Sequence, residues 1–147
     1  MKLVFTNIND IVSYKENLRF NREAIDMVIE SINDFGFINP IIVNKNNVVI
    51  SGETRLQAAK LLKLNEIPCI VIEHLTDEQE RIYRLVDNKT NELSIWNYKE
   101  LNTELSNINE NLLKYDLLSD DDTDIDISAF FEGEYDIQTS LFDYVEG

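Results

Sequence analysis

With 147 residues, 44% of them hydrophobic, the chain carries enough apolar side chain for one modest core, so one globular domain is expected rather than two. A formal net charge of −15 argues against non-specific nucleic-acid binding by the chain as a whole, but the excess is uneven. Residues 119–147 hold ten Asp/Glu and no Lys/Arg, leaving eighteen acids against thirteen bases in residues 1–118, so a local basic groove on the body stays open.

The opening Met1-Lys2-Leu3-Val4-Phe5 turns polar at Thr6-Asn7, with neither an apolar stretch of secretory length nor a small-residue cleavage site. No segment reads as a membrane span. The expectation is a cytoplasmic protein without membrane contact. Ile8 to Val12 is a short apolar opening. Asn21 then caps a helix whose Ile25, Val28, Ile29 and Ile32 share one face, with Gly36 as its C-terminal stop. After Asn39-Pro40, Ile41-Ile42-Val43 and Val48-Val49-Ile50 flank Asn44-Lys45-Asn46-Asn47, which predicts two short strands joined by a tight turn.

The second strand runs straight into Ser51-Gly52-Glu53-Thr54-Arg55, which opens an Ala/Leu/Lys helix from Leu56 to Leu64. Such a junction suits an anion. Glycine lets the backbone approach closely, the N–H groups and dipole of a helix start favour negative charge, and Arg55 adds a forked, permanently charged donor. On spacing alone a second reading stands beside it, a strand-to-helix turn whose arginine makes a surface ion pair.

Pro68 opens a buried strand to Ile72. Cys69, the only cysteine, lies inside Ile67-Pro68-Cys69-Ile70-Val71-Ile72 and reads as a core thiol, so neither a disulfide nor a cysteine zinc site is expected within the chain. His74 is also alone, without a ligand-spaced partner, and reads as solvated or capping. Thr76-Asp77-Glu78-Gln79 is a capping box starting a third helix toward Val86. Asn97 and Glu100 begin a fourth, with Leu101, Leu105, Ile108 and Leu112 on one face. From Ser119 onward, composition predicts a disordered acidic tail. The expected organisation is a domain at 1–95, a helical extension at 96–118 and the tail at 119–147, without internal repeats.

Several of these segments, in this order, carry a resemblance. Asn17-Leu18-Arg19, the helix ending Ser31-Ile32-Asn33-Asp34-Phe35-Gly36, Pro40-Ile41-Ile42-Val43, and Gly52-Glu53-Thr54-Arg55 with Ala58-Ala59 resemble the N-terminal domain of the ParB and sulfiredoxin-like superfamily. The likeness continues through Ile67-Pro68-Cys69-Ile70-Val71, Leu75-Thr76-Asp77-Glu78 and Asp87-Asn88, and covers roughly residues 5 to 95. It implies an α+β fold, a small mixed sheet with packed helices, followed here by the C-terminal helix and acidic tail. It also implies a bound nucleoside triphosphate, CTP or ATP, with Mg²⁺. Arg55 would hold phosphate, Gly52 permit its approach, Thr54 donate a hydroxyl, Asp87 carry Mg²⁺ or its waters, Asn88 position a phosphate oxygen, and Arg19 face the same pocket. Against this, Asp87-Asn88 also reads as a helix-ending Asx turn.

The departures point further. Thr54 and Asn91 stand where ParB proteins carry additional arginines, which puts CTP in question. Glu53 takes the place of the catalytic cysteine of sulfiredoxins, which argues against sulfinic-acid reduction. Glu53 reads either as a general base, as in the free-serine kinases of the superfamily, or as an acidic residue stabilising the first helical turn, and the second is preferred. No helix-turn-helix pattern follows residue 95, so the sequence-reading part of a partition protein is missing. The segment Arg84 to Ser94 with Trp96 is similar to ParB-type domains associated with DNA methyltransferases in phages and mobile elements. Trp96 reads as an aromatic docking the last helix onto the core or as a partner contact. In the tail, Gln138-Thr139-Ser140-Leu141-Phe142 resembles the peptide by which replication and repair proteins dock into the bacterial sliding clamp.

Three functions follow as expectations. The first and preferred one is a nucleotide-binding, DNA-associated regulatory or accessory module, with DNA met indirectly and a homodimer among its expected partners. The second is an enzyme, a phosphotransferase with Glu53 as base or, less favoured, a nuclease. The third is an adaptor that recruits a methyltransferase or the clamp through Gln138, Leu141 and Phe142.

Overall fold

The computed structural model describes residues 1–14, 21–108 and 115, and it places a strand, β1 (Lys2–Asn7), ahead of the apolar opening expected at Ile8–Val12. The pattern hides β1 because it is an edge strand. Leu3 and Phe5 point outward, 58% and 65% exposed, and only Val4 and Thr6 are half-buried, so the apolar–polar alternation of a core strand is lost. Asn7 then caps a single 3₁₀ turn (Ile8–Asp10), accepting from the Asn9 N–H at 2.9 Å, and Ile11 turns into the core. Val12 bridges Val48 in parallel, with its N–H donating to Asn47 O and its carbonyl accepting from Val49 N, both at 2.9 Å.

Helix α1 (Arg22–Phe35) has the expected ends. The Asn21 side chain accepts from the Ala24 N–H at 3.1 Å, and Gly36, at φ 84°, donates its N–H to Ile32 O at 2.8 Å. Strands β2 (Ile41–Asn44) and β3 (Val49–Ser51) pair antiparallel. The turn between them is built by Asn44, whose side-chain carbonyl accepts from the N–H groups of Asn46 and Val48 at 2.9 and 3.0 Å, while Asn47 takes the left-handed region at φ 61°. Helix α2 (Glu53–Leu61) follows β3 with Gly52 alone between them. It ends three residues short of the expected Leu64, because Lys63 adopts φ 56° and breaks the helical backbone.

Strand β4 (Glu66–Ile72) inserts between β1 and β2, antiparallel to the first and parallel to the second, giving the mixed order β1-β4-β2-β3. It starts two residues before Pro68. The proline is tolerated because the parallel ladder to β2 begins only at Cys69. The core lies where this sheet meets α2: Ile41, Val43, Val49, Leu56, Ala59, Ile67 and Cys69 form one buried cluster. Each large side chain there contributes roughly 1.5–3 kcal/mol by leaving water. Ala58 and Ala59 are fully buried, and their small size brings the α2 backbone close to its neighbours, with α1 packed against its flank.

Helix α3 (Asp77–Leu93) begins with the expected reciprocal box, Thr76 with Gln79, and runs well past Val86 to Leu93. Asp87 and Asn88 are therefore mid-helix residues, and the helix-ending Asx turn is ruled out. Polar contacts dock α3 on the hairpin. The Asn44 Nδ2 donates to Glu80 Oε2 at 3.1 Å, and Arg84 Nε and Nη2 both donate to Val49 O at 3.2 and 2.9 Å. Its outer side exposes Ile82, Leu85, Val86 and Leu93.

These elements make up one compact unit, Met1–Ile95, and the architecture is the expected α+β one. A second unit starts at Trp96 and contains α4 (Tyr98–Ser106), capped by Asn97, which accepts from the Glu100 N–H at 3.3 Å. Trp96 is 56% exposed. Tyr98, in the first turn of α4, is buried. Ile108 lies beyond the end of α4, and Leu112, Arg19, Gln138, Leu141 and Phe142 lie outside the described residues.

Candidate functional site

The site grows out of one residue of backbone. Gly52 separates the last residue of β3 from the first of α2, at φ 110° and ψ 26°, in the left-handed region. A side chain has no room there: a Cβ would stand 2.9 Å from Arg55 Nη2, 3.2 Å from its Cζ and 3.2 Å from Ile41 Cγ1. The same numbers show how close the Arg55 guanidinium folds over the turn.

The start of α2 also differs from the other helix starts of the described chain. Side chains of Asn21, Thr76 and Asn97 cap α1, α3 and α4, whereas Gly52 offers no side chain to the first-turn N–H groups of α2. The first intrahelical bond runs from Leu56 N to Gly52 O, at 2.9 Å. The dipole and N–H groups of the Glu53-Thr54 turn are thus left to a ligand or to solvent.

Arg55 is partly buried. Nη2 donates to Pro40 O at 3.1 Å, and Nε is buried with no hydrogen-bond partner among the described residues. Burial pushes its pKa down and the nearby Asp87 carboxylate pulls it back up; a guanidinium remains charged under both. Asp87 reaches the turn from α3, its Oδ2 accepting from Ser51 Oγ at 3.2 Å. Beside Arg55, a hollow of about 260 Å³ lies between the C-terminal half of α1 and the Gly36–Asn39 loop, lined by Val28, Ile32, Phe35 and Phe37.

Glu53 is an anchor. Its Oε1 accepts from the Tyr14 N–H at 2.7 Å, tying the segment after Val12 to the first turn of α2, and its Oε2 is buried without a partner among the described residues. The Tyr14 ring is held from above, with the Arg84 guanidinium 3.7 Å from its centroid. Arg84 also lies 3.7 Å from Glu80 Oε2.

The fold therefore brings Gly52, Glu53, Thr54, Arg55 and Asp87 to one place. Asn88 is exposed and stands about 100° around α3 from Asp87. Ser51, Tyr14, Pro40 and Arg84 were given no role by the sequence reading. Part of this was legible, since Glu80, Arg84 and Asp87 stand four and three residues apart on one face of a helix. Among the described residues no group of three or more His, Cys, Asp or Glu is placed to hold a metal. Cys69 is buried in the core as expected, and burial pushes its thiol pKa up. No described helix is long and apolar enough to cross a membrane.

Residues 2–89 match the ParB N-terminal domain. The chain belongs to that family. Among curated relatives, it is 34% identical over 82 residues to the ParB-like nuclease domain-containing protein YnaK of Escherichia coli K12, covering 55% of this chain and 94% of that one. It is 36% identical over 78 residues to a probable chromosome-partitioning protein ParB of Campylobacter jejuni, covering 51% of this chain and 28% of that protein. The ParB-type domain is thus nearly all of the first relative and about a quarter of the second. Its fold is shared with the C-terminally truncated ParB of Caulobacter crescentus, solved with CTP-γ-S, at TM-score 0.60 and 22% identity over 78% of this chain and 71% of that one.

Proposed function

We propose that the Gly52–Arg55 turn of this ParB-type domain binds the phosphate of a nucleotide, and that the unit formed by residues 1–95 works as a nucleotide-binding, DNA-associated accessory module. One observation carries the reading: a partly buried, charged guanidinium, its Nε without a hydrogen-bond partner among the described residues, lies over a left-handed glycine at a helix start that no side chain caps. The hollow beside Arg55 offers apolar walls, Val28, Ile32, Phe35 and Phe37, next to the turn. The kinship with ParB proteins supports the nucleotide, since the Caulobacter relative was solved with a CTP analogue.

Each residue has a role in this reading. Gly52 admits the phosphate, Arg55 grips it, and the Thr54 hydroxyl and the first-turn N–H groups complete the contacts. Glu53 holds Tyr14 in place through one carboxylate oxygen, engaged at 2.7 Å. Mg²⁺ fits only in the manner of a shared ion, with Asp87 as its carboxylate and the remaining positions filled by phosphate oxygens and waters. Bound so, it would neutralise phosphate charge. The exposed row Ile82, Leu85, Val86 and Leu93 supports a homodimer as the form in solution. Gln138, Leu141 and Phe142 remain the proposed contact to a sliding clamp or a methyltransferase.

The test is titration calorimetry of CTP, ATP, GTP, UTP and ADP, with Mg²⁺, into the wild type and Arg55→Ala. Heat that saturates with the wild type and disappears in the variant supports the site. A folded wild type that binds none of the five overturns it.

A further inference from the structure

Resting on the nucleotide reading, we propose that this turn discriminates by phosphate charge: without a divalent cation it prefers a nucleoside monophosphate to a triphosphate, and Asp87 sets that limit. The argument is a count of charges around Gly52. On the positive side, Arg55 is the described cation folded over the turn. Arg84, three residues before Asp87 on α3, is committed elsewhere, with two donors on Val49 O, Glu80 at 3.7 Å and the Tyr14 ring beneath it. On the negative side stand Asp87, which accepts from Ser51 at the turn and acts electrostatically on Arg55, and Glu53 in the first turn, one buried oxygen of which has no partner among the described residues.

A single guanidinium presents one planar fork and grips one phosphoryl group well. A monophosphate group brings a charge of about −1.5 to −2, which Arg55 and the helix start can hold. A longer phosphate chain adds negative charge beside Asp87, where the Arg84 guanidinium is already engaged. In a partly buried site that repulsion is weakly screened. Thr54 and Asn91 are both uncharged and do not relieve it. A divalent cation reverses the sign, since Asp87 then attracts the ion that the phosphates also bind.

The experiment titrates CMP and CTP, and AMP and ATP, into the full chain in EDTA and again in Mg²⁺, using the wild type and Asp87→Asn. In EDTA the wild type is expected to bind the monophosphate at least about threefold more tightly than the triphosphate, and Mg²⁺ to reverse the order. Asp87→Asn should tighten triphosphate binding in EDTA by about tenfold and flatten the Mg²⁺ effect. Asp87→Ser, which also removes the charge, repeats the measurement in case the amide disturbs Ser51. Tighter triphosphate than monophosphate binding by the wild type in EDTA overturns the proposal while leaving the nucleotide site standing. So does triphosphate affinity in EDTA that neither variant changes. Absence of binding by every nucleotide overturns the parent reading instead, and this proposal with it.

Discussion

Gly52→Ala tests the geometry of the turn most directly. An L residue in the left-handed region costs roughly 1–2 kcal/mol. The new methyl would also stand 2.9 Å from Arg55 Nη2 and 3.2 Å from both Arg55 Cζ and Ile41 Cγ1. Ile41 is fully buried and has no room to retreat, and overpacking of this kind costs about 1–3 kcal/mol. A total loss of about 2–4 kcal/mol is expected, a large part of the stability of a domain this size. Arg55→Ala by itself removes the charged hydrogen bond to Pro40 O, for about 1–3 kcal/mol. In the double variant two of the three close contacts no longer exist, so the losses should fall short of additivity by about 1 kcal/mol. Urea unfolding of the four proteins, followed by circular dichroism, gives all the terms of the cycle. Additivity within about 0.5 kcal/mol would mean that Arg55 does not lie over Gly52, and the account of the site would fail at its first step.

Asn44→Ala should destabilise the chain by about 2–3 kcal/mol, because it strips two backbone N–H groups of their acceptor and leaves the buried Glu80 without its amide partner. A urea midpoint equal to that of the wild type would contradict the role of this side chain. Glu53→Ala should speed hydrogen exchange at the Tyr14 N–H by at least about tenfold, while Glu53→Gln, which keeps an acceptor, should slow it again toward the wild-type rate. Equal rates in the two variants would refute the anchor. For Cys69, burial raises the folded-state pKa, so the unfolded chain ionises first as pH rises above about 8.5. The thiol's contribution is complete below that pH and is lost on the way up through the folded value. Wild-type urea midpoints should therefore fall more steeply than those of Cys69→Ala between about pH 8 and 10, and parallel slopes would disprove the buried thiol's part.

What the sequence determined by itself was everything that a few neighbouring residues decide. Asn21, Thr76 with Gln79, and Asn97 announced their helices because a cap is a contact across three residues, and Gly36 stopped α1 because its backbone conformation is open to glycine. Gly52 and Arg55 were legible for the same reason, lying three positions apart on one turn. The edge strand β1 escaped, since with Leu3 and Phe5 outward its pattern lacks a buried face. The length of α3 escaped as well, because nothing local ends a helix at Val86.

Only the tertiary structure decided what surrounds the turn. Ser51 meets Asp87 across 36 residues, Tyr14 meets Glu53 across 39, and Arg55 meets Pro40 across 15. Such contacts have no sequence period. They arise because β4 inserts between β1 and β2, which leaves β3 at the sheet edge, where α3 docks through Arg84 and Glu80. Whether an acidic residue stands opposite the Gly52–Arg55 turn is fixed by that packing.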